Sequence, residues 1–170
     1  MIPRQQAKGG TLNDSASNRD AGLSKLPEDQ LLTGKPVLHH LGFVVASIQD
    51  VADEFARCMS ASWDGRVIDD PLQRVRIALF QPSENLNPVL ELMEPAGADS
   101  TVGDFLDRGG GLHHVCYEVD DLDSSLLEAL RLGLTTVGPP APSFAFAGRR
   151  IAKVSSRTLL LMELLERHRA

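Results

Sequence analysis

From residue 37 onward the spacing of apolar and polar positions keeps changing period, and each change marks an element. "VLHHLGFVV" (37–45) is β-branched and apolar at strand spacing. "SIQDVADEFARCM" shifts to a helical period, with Ile48, Val51, Ala52 and Phe55 on one face and Ser47 placed to cap it. "GRVID" and "RVRIALF" read as strands, "QPSENLNP" is turn chemistry, and "VLELM" (89–93) is a further strand. "STVGDFLD" predicts a short helix capped by Ser100 or Thr101. Glycines 109–111 follow no strand and fit no phosphate loop, so they read as a linker. "LHHVCYEV" (112–119) then restarts the cycle. A helix over "DLDSSLLEALRLG" stops at Gly133, and "TTV", "RRIAKV" and "TLLLMEL" supply three more strands.

The order β–α–β–β–β thus occurs twice. Leu38-His39-His40 falls on Leu112-His113-His114 at a shift of 74, and Glu54 meets Glu128 at the same shift. Each module ends in an apolar strand with one carboxylate, Glu91 and Glu163, at a shift of 72. Duplication of one supersecondary unit is the strongest inference available. The predicted fold is α+β, with modules over about 37–95 and 112–165 inside a domain of residues 36–170. Residues 1–35, rich in Gly, Ser, Asn and Asp, read as a flexible N-terminal extension in which "LSKLPEDQLLTG" forms one amphipathic turn.

Composition narrows the function. A chain of 170 residues suits one domain with a sizeable core, and a net charge of −6 disfavours a nucleic-acid partner. Two cysteines, Cys58 and Cys116, give neither a disulfide framework nor a metal spacing, which implies a reduced, cytoplasmic setting. No apolar run reaches the ~18 residues that a membrane span needs.

The chemistry lies in the repeated phrase, whose two copies hold four of the five histidines. Side chains alternate across a strand, so one histidine of each pair is expected on the functional face and its neighbour on the helix-covered side or near the strand end. A carboxylate in a run as apolar as "TLLLMEL" needs a reason, because an unpaired buried charge costs several kcal/mol. Two histidines and two carboxylates converging across a duplicated sheet satisfy one another through a divalent cation: Zn, Ni, Co, Mn or Fe.

The phrases "LHHLGFVV", "LELMEPAGADSTVGDFLDRGGGLHHVCYEVDDLDS" and "LLLMELLE" resemble the vicinal oxygen chelate superfamily, which includes the glyoxalases, and within it the methylmalonyl-CoA epimerases. The resemblance covers roughly residues 37–165. It implies paired βαβββ modules forming a cupped, incomplete barrel around one divalent metal, and a homodimer. It also implies His40, Glu91, His114 and Glu163 as the metal ligands, with His39 and His113 in support. The sequence departs from the epimerases at "IAKVSSRTLLLMEL", which lacks their frequent His-Pro. It departs again on the third strand, where some carry a catalytic carboxylate and "QRVRIALF" has only Arg74 and Arg76.

Three function classes follow. The first is an epimerase that removes a proton next to the carbonyl of an acyl-CoA-like small molecule, with Glu163 and Glu91 as the proton carriers and Glu163 the better supported. The second is another metal reaction on the same scaffold, a glyoxalase I-type lyase above all. The third is a drug-sequestering module, which the low aromatic content of 5% disfavours. Elsewhere Glu94 reads as a surface residue, Glu118 as a strand end, Cys116 as small core, "GRR" (148–150) as a turn bordering the pocket, and His168 as tail.

Overall fold

β1 (Val37–Val44) turns Leu41 and Phe43 toward one side of a sheet and His40, Gly42 and Val44 toward the other, and every inner strand repeats this division. The computed structural model describes residue 32 and residues 36–83, 88–158 and 161–168. The expected extension falls outside these except for Leu32, which packs against the second module's core.

After β1 come α1 (Ile48–Cys58), β2 (Ala61–Trp63), β3 (Ile68–Asp70), β4 (Val75–Pro82), β5 (Val89–Pro95) and α2 (Gly103–Asp107). The second half holds β6 (Gly111–Val119), α3 (Leu122–Arg131), β7 (Thr135–Pro142), β8 (Arg150–Ser155) and β9 (Leu161–Glu166). The strands form one open mixed sheet in the order β2-β4-β5-β1-β6-β9-β8-β7, with β3 also paired to β4. Its centre is the antiparallel β1–β6 pair, flanked by parallel β5 on one side and parallel β9 on the other. The two modules therefore repeat about an axis through that pair.

One face of the sheet carries the helices. α1 lays Ile48 and Ala52 on Ala78, Phe80, Leu90 and Leu92, and α3 lays Leu122 and Ala129 on Ala152, Val154 and Leu164. Fully burying such a side chain stabilises the fold by about 1.5–3 kcal/mol, so these layers hold each module together. The remaining strand positions, among them Val75, Ile77, Met93, Ile151 and Leu165, line the opposite, cupped face.

Several local expectations change. Ser47 caps α1, accepting from the Asp50 amide, and Asp121 caps α3. Gly133 ends α3 with φ +79°, and the Leu134 amide reaches back to the Ala129 carbonyl. The cap of α2, however, is Val102 without a side-chain hydrogen bond; Thr101 Oγ1 instead donates to the Gln73 carbonyl. β2 was not foreseen, and β7 runs on through Pro139 and Pro140, which an edge strand tolerates because it has no outward partner to lose. Glu94 is buried, not superficial: it accepts the Ile48 amide at 2.5 Å and pairs with Arg76 at 2.5 Å. Among the described residues no helix is long and apolar enough to cross a membrane.

Candidate metal centre

Four side chains meet on the cupped face where β5, β1, β6 and β9 lie side by side. His40 Nε2 and His114 Nε2 are 3.0 Å apart, and both are buried. Glu91 Oε2 stands 3.7 Å from the first nitrogen and 3.5 Å from the second, and Glu163 Oε1 stands 3.4 Å from His40 Nε2. His40, Glu91 and His114 form a group able to hold a metal ion, and Glu163 borders it through His40. Strand register explains the convergence. Gly42 pairs with Glu91 across β1–β5 as Cys116 pairs with Glu163 across β6–β9, and His40 faces Cys116 as Gly42 faces His114.

Gly42 is the position that makes room. A Cβ there would lie 2.2 Å from Cε1 of the His114 ring, closer than any real contact. Its counterpart below the His40 ring is Cys116, fully buried, whose thiol is pushed up by burial and by the nearby carboxylates Glu163 and Glu91.

The paired histidines correct the expected alternation. The β1–β6 register slips between Leu38 and His40, and again between Gly42 and Phe43, so His39 and His113 are each the extra residue of a bulge. A bulge breaks the two-residue period. Neighbouring rings then touch instead of pointing to opposite faces: His39 Nδ1 lies 2.9 Å from His40 Nδ1, and His113 Nδ1 lies 3.0 Å from His114 Nδ1. Phe146, from the β7–β8 loop, meets His39 edge-on and stacks on His40 at 4.9 Å, and Phe105 of α2 meets His113 edge-on.

Burial, with neighbouring cations, pushes His39 and His113 down to about 4, so both are neutral near pH 7. An unprotonated Nδ1 on each can accept a hydrogen bond from the Nδ1–H of the adjacent ring, leaving Nε2 of His40 and His114 with a lone pair aimed at the centre. This is the donor arrangement a divalent ion requires, with each ligand ring oriented through its other nitrogen. Burial likewise pushes His114 down to about 3. Burial alone would lower His40 too, but the charges of Glu91 and Glu163 prevail and raise it.

The two carboxylates are unequal. Burial raises Glu91 to about 7. Burial would also raise Glu163, but His114, a hydrogen bond from His40 and the ammonium of Lys153 outweigh it and hold this carboxyl below its usual range. Lys153 lies directly opposite Glu163 across β8–β9, with Nζ 3.6 Å from Oε2. The sequence reading passed over this lysine. Its only signal was a place two residues from Ile151, on the same face of an otherwise apolar strand. Arg74 and Arg76 point elsewhere, to Asp99 and Glu94. Glu118 is paired with Arg149 and Arg167.

A groove of about 320 Å³ lined by Asp64, Arg66, Ile68, Leu79, Phe144, Ala145 and Ala147 runs between β3–β4 and the β7–β8 loop. A larger cleft of about 500 Å³ is bordered by Asp123, Arg149, Arg150 and Arg167, and neither it nor the groove is lined by any of the four converging residues.

The family model for the Glyoxalase/Bleomycin resistance protein/Dioxygenase superfamily matches residues 39–152. The chain belongs to that superfamily. Among its relatives is an ethylmalonyl-CoA/methylmalonyl-CoA epimerase of Cereibacter sphaeroides, 26% identical over 67% of this chain and 84% of that protein. The crystal structure of a Mycobacterium tuberculosis methylmalonyl-CoA epimerase superposes with a TM-score of 0.68 at 25% identity, covering 85% of this chain and 94% of that one. A Streptomyces coelicolor methylmalonyl-CoA epimerase in complex with 2-nitronate-propionyl-CoA shares the fold, with a TM-score of 0.65 at 22% identity over 78% and 97% of the two chains. The superfamily's open sheet of paired modules is the architecture described above.

Proposed function

We propose that this protein is a divalent-metal-dependent epimerase that exchanges the proton on the carbon beside the carbonyl of an acyl-CoA thioester. The observation that carries this reading is the meeting of His40 Nε2, His114 Nε2, Glu91 and Glu163 in one buried cup, two residues from each module. The epimerase relatives support the choice of chemistry.

His40, Glu91, His114 and Glu163 would hold the ion, whose identity among Zn, Ni, Co, Mn and Fe the donor set leaves open. When bound, such an ion supplies Lewis acidity to a carbonyl oxygen. The rest falls to the protein. Glu91 and Glu163 stand on strands at opposite flanks of the central pair, so they border a substrate seated over the histidines from two sides. One carboxylate oxygen takes the proton, and a solvent proton relayed by the other carboxylate to the opposite face inverts the centre. Phe146, stacked on His40, shields the ligand ring from water. The reading also carries a homodimer and a cytoplasmic setting.

The test is incubation of the Co²⁺-loaded protein with (2R)- or (2S)-methylmalonyl-CoA in D₂O. Deuterium at C2 together with the opposite stereoisomer is the expected result. Turnover of a glutathione hemithioacetal with no exchange into the thioester would replace the epimerase by a lyase.

A further inference from the structure

The bulge in β1 gathers a second set of donors beside the cup. His39 and His40, consecutive in sequence, lie with their Nδ1 atoms 2.9 Å apart. Cys116 stands opposite His40 across the β1–β6 pair. One donor atom from each of His39, His40 and Cys116 falls within 4.8 Å of the other two. Cys116 is fully buried, whereas His39 is only half-buried and opens the set toward solvent.

The internal repeat supplies a comparison. The bulge in β6 brings His113 and His114 together in the same way, with their Nδ1 atoms 3.0 Å apart. Opposite His114, however, stands Gly42, which has no side chain to offer. Both halves pair their histidines beside the cup, so supporting the cup does not call for a thiol. The sulfur is what one half has and the other lacks.

The donor types select the ion. The cup offers nitrogen and oxygen, which suit a borderline divalent cation, whereas two imidazoles and a thiolate suit a soft one. Among the described residues no fourth donor joins the group, and closed Zn²⁺ sites take four. Charge points the same way. A thiol gives up its proton as it ligates, so a monovalent ion takes the proton's place and adds no net charge. A divalent ion would add one, on a sheet face from which burial excludes water.

We infer that His39, His40 and Cys116 form a binding site for Cu⁺ that shares His40 with the cup. A soft ion held here engages a ligand that the divalent ion also needs, so filling this site weakens the other. The site stands on its own three donors. Only the competition rests on the reading of the cup as a metal site.

The test is anaerobic titration with Cu⁺ buffered by bicinchoninate. It uses a Cys58→Ser background, because Cys58 is an exposed thiol that would bind the same ion. This protein should take up one Cu⁺ per chain, and X-ray absorption at the copper edge should show one sulfur and two nitrogen neighbours. Adding Cys116→Ser should lower Cu⁺ affinity at least about a hundredfold, since a ligand and not an outer partner is lost. Co²⁺ stoichiometry and far-ultraviolet dichroism should stay as they were. Adding His39→Ala should lower Cu⁺ affinity at least about tenfold, and adding His113→Ala should leave it unchanged. The Cu⁺-loaded protein should bind Co²⁺ at least about tenfold more weakly.

Unchanged Cu⁺ affinity after Cys116→Ser overturns the site. So do equal losses in the His39→Ala and His113→Ala proteins, which would put the copper in the cup. Absence of a sulfur neighbour overturns it with no substitution at Cys116 at all. Co²⁺ affinity unmoved by Cu⁺ shows that His40 is not shared, and the ligand set fails. A protein that takes up Cu⁺ on these three residues but no Co²⁺ refutes the cup and leaves this site standing.

Discussion

Gly42 and His114 occupy one space: the imidazole lies where a side chain at residue 42 would begin, with Cε1 2.2 Å from an ideal Cβ. His114 is buried, so the ring has no free volume to retreat into. Gly42→Ala should therefore keep its far-ultraviolet dichroism but lose Co²⁺ affinity by at least about tenfold, since a displaced ring no longer aims Nε2 at the centre. Affinity equal to the wild type would show that the ring is not held as a ligand.

The histidine pairs predict a graded series. His40→Ala and His114→Ala remove donors and should abolish stoichiometric Co²⁺. His39→Ala and His113→Ala remove only the Nδ1 partners at 2.9 Å and 3.0 Å, and should cost about 10–100-fold in affinity. The reverse order would mean that the bulged residues are the ligands.

Glu91→Gln and Glu163→Gln separate the two proton steps. Loss of a general base typically slows a reaction by ~10²–10⁴, so each variant should fail to invert methylmalonyl-CoA even where Co²⁺ is retained. Each should still exchange the C2 proton of one stereoisomer, and a different one in each case. If both variants lose exchange from the same stereoisomer only, the carboxylates do not work from opposite faces.

Metal affinity should depend on pH through Glu91. Burial raises this carboxyl to about 7, so below that pH the ion must displace a proton to bind. His40, raised by its carboxylate neighbours, adds a second proton to be displaced. Glu163, held low, and His114, at about 3, contribute none in this range. The apparent Co²⁺ affinity should rise with pH and level off once Glu91 and His40 are deprotonated. Calorimetry in buffers of different ionisation enthalpy counts the released protons. Affinity flat from pH 6 to 8 would contradict this account of the apo-site.

Glu94→Ala tests the fold and not the site. It strips the Ile48 amide of its acceptor at the start of α1 and leaves Arg76 without its carboxylate. Losing a buried charged acceptor costs roughly 1–3 kcal/mol, visible as a lower melting temperature with Co²⁺ stoichiometry intact.

The periodicities of "VLHHLGFVV" and "LHHVCYEV", the helices between strands and the 74-residue repeat are local facts, and from them the sequence determined a duplicated α+β unit. It also marked His40, His114, Glu91 and Glu163, because charged or imidazole side chains in apolar strands need a common partner, a reading that the family resemblance made specific. Other features depended on how strands pair. Which histidine of each pair faces the centre rests on two bulges, set by the β1–β6 register and invisible to a two-residue period. Glu94 looked like a surface carboxylate until α1 closed over it. Gly42 mattered only once His114 lay across it. Gln73 and Lys153, 80 residues apart, became one unit only when the modules closed on each other. Sequence spacing records what a chain does within a few residues of itself, whereas hydrogen bonds and ion pairs form between whatever groups packing brings to about 3 Å, and only the tertiary structure decides which those are.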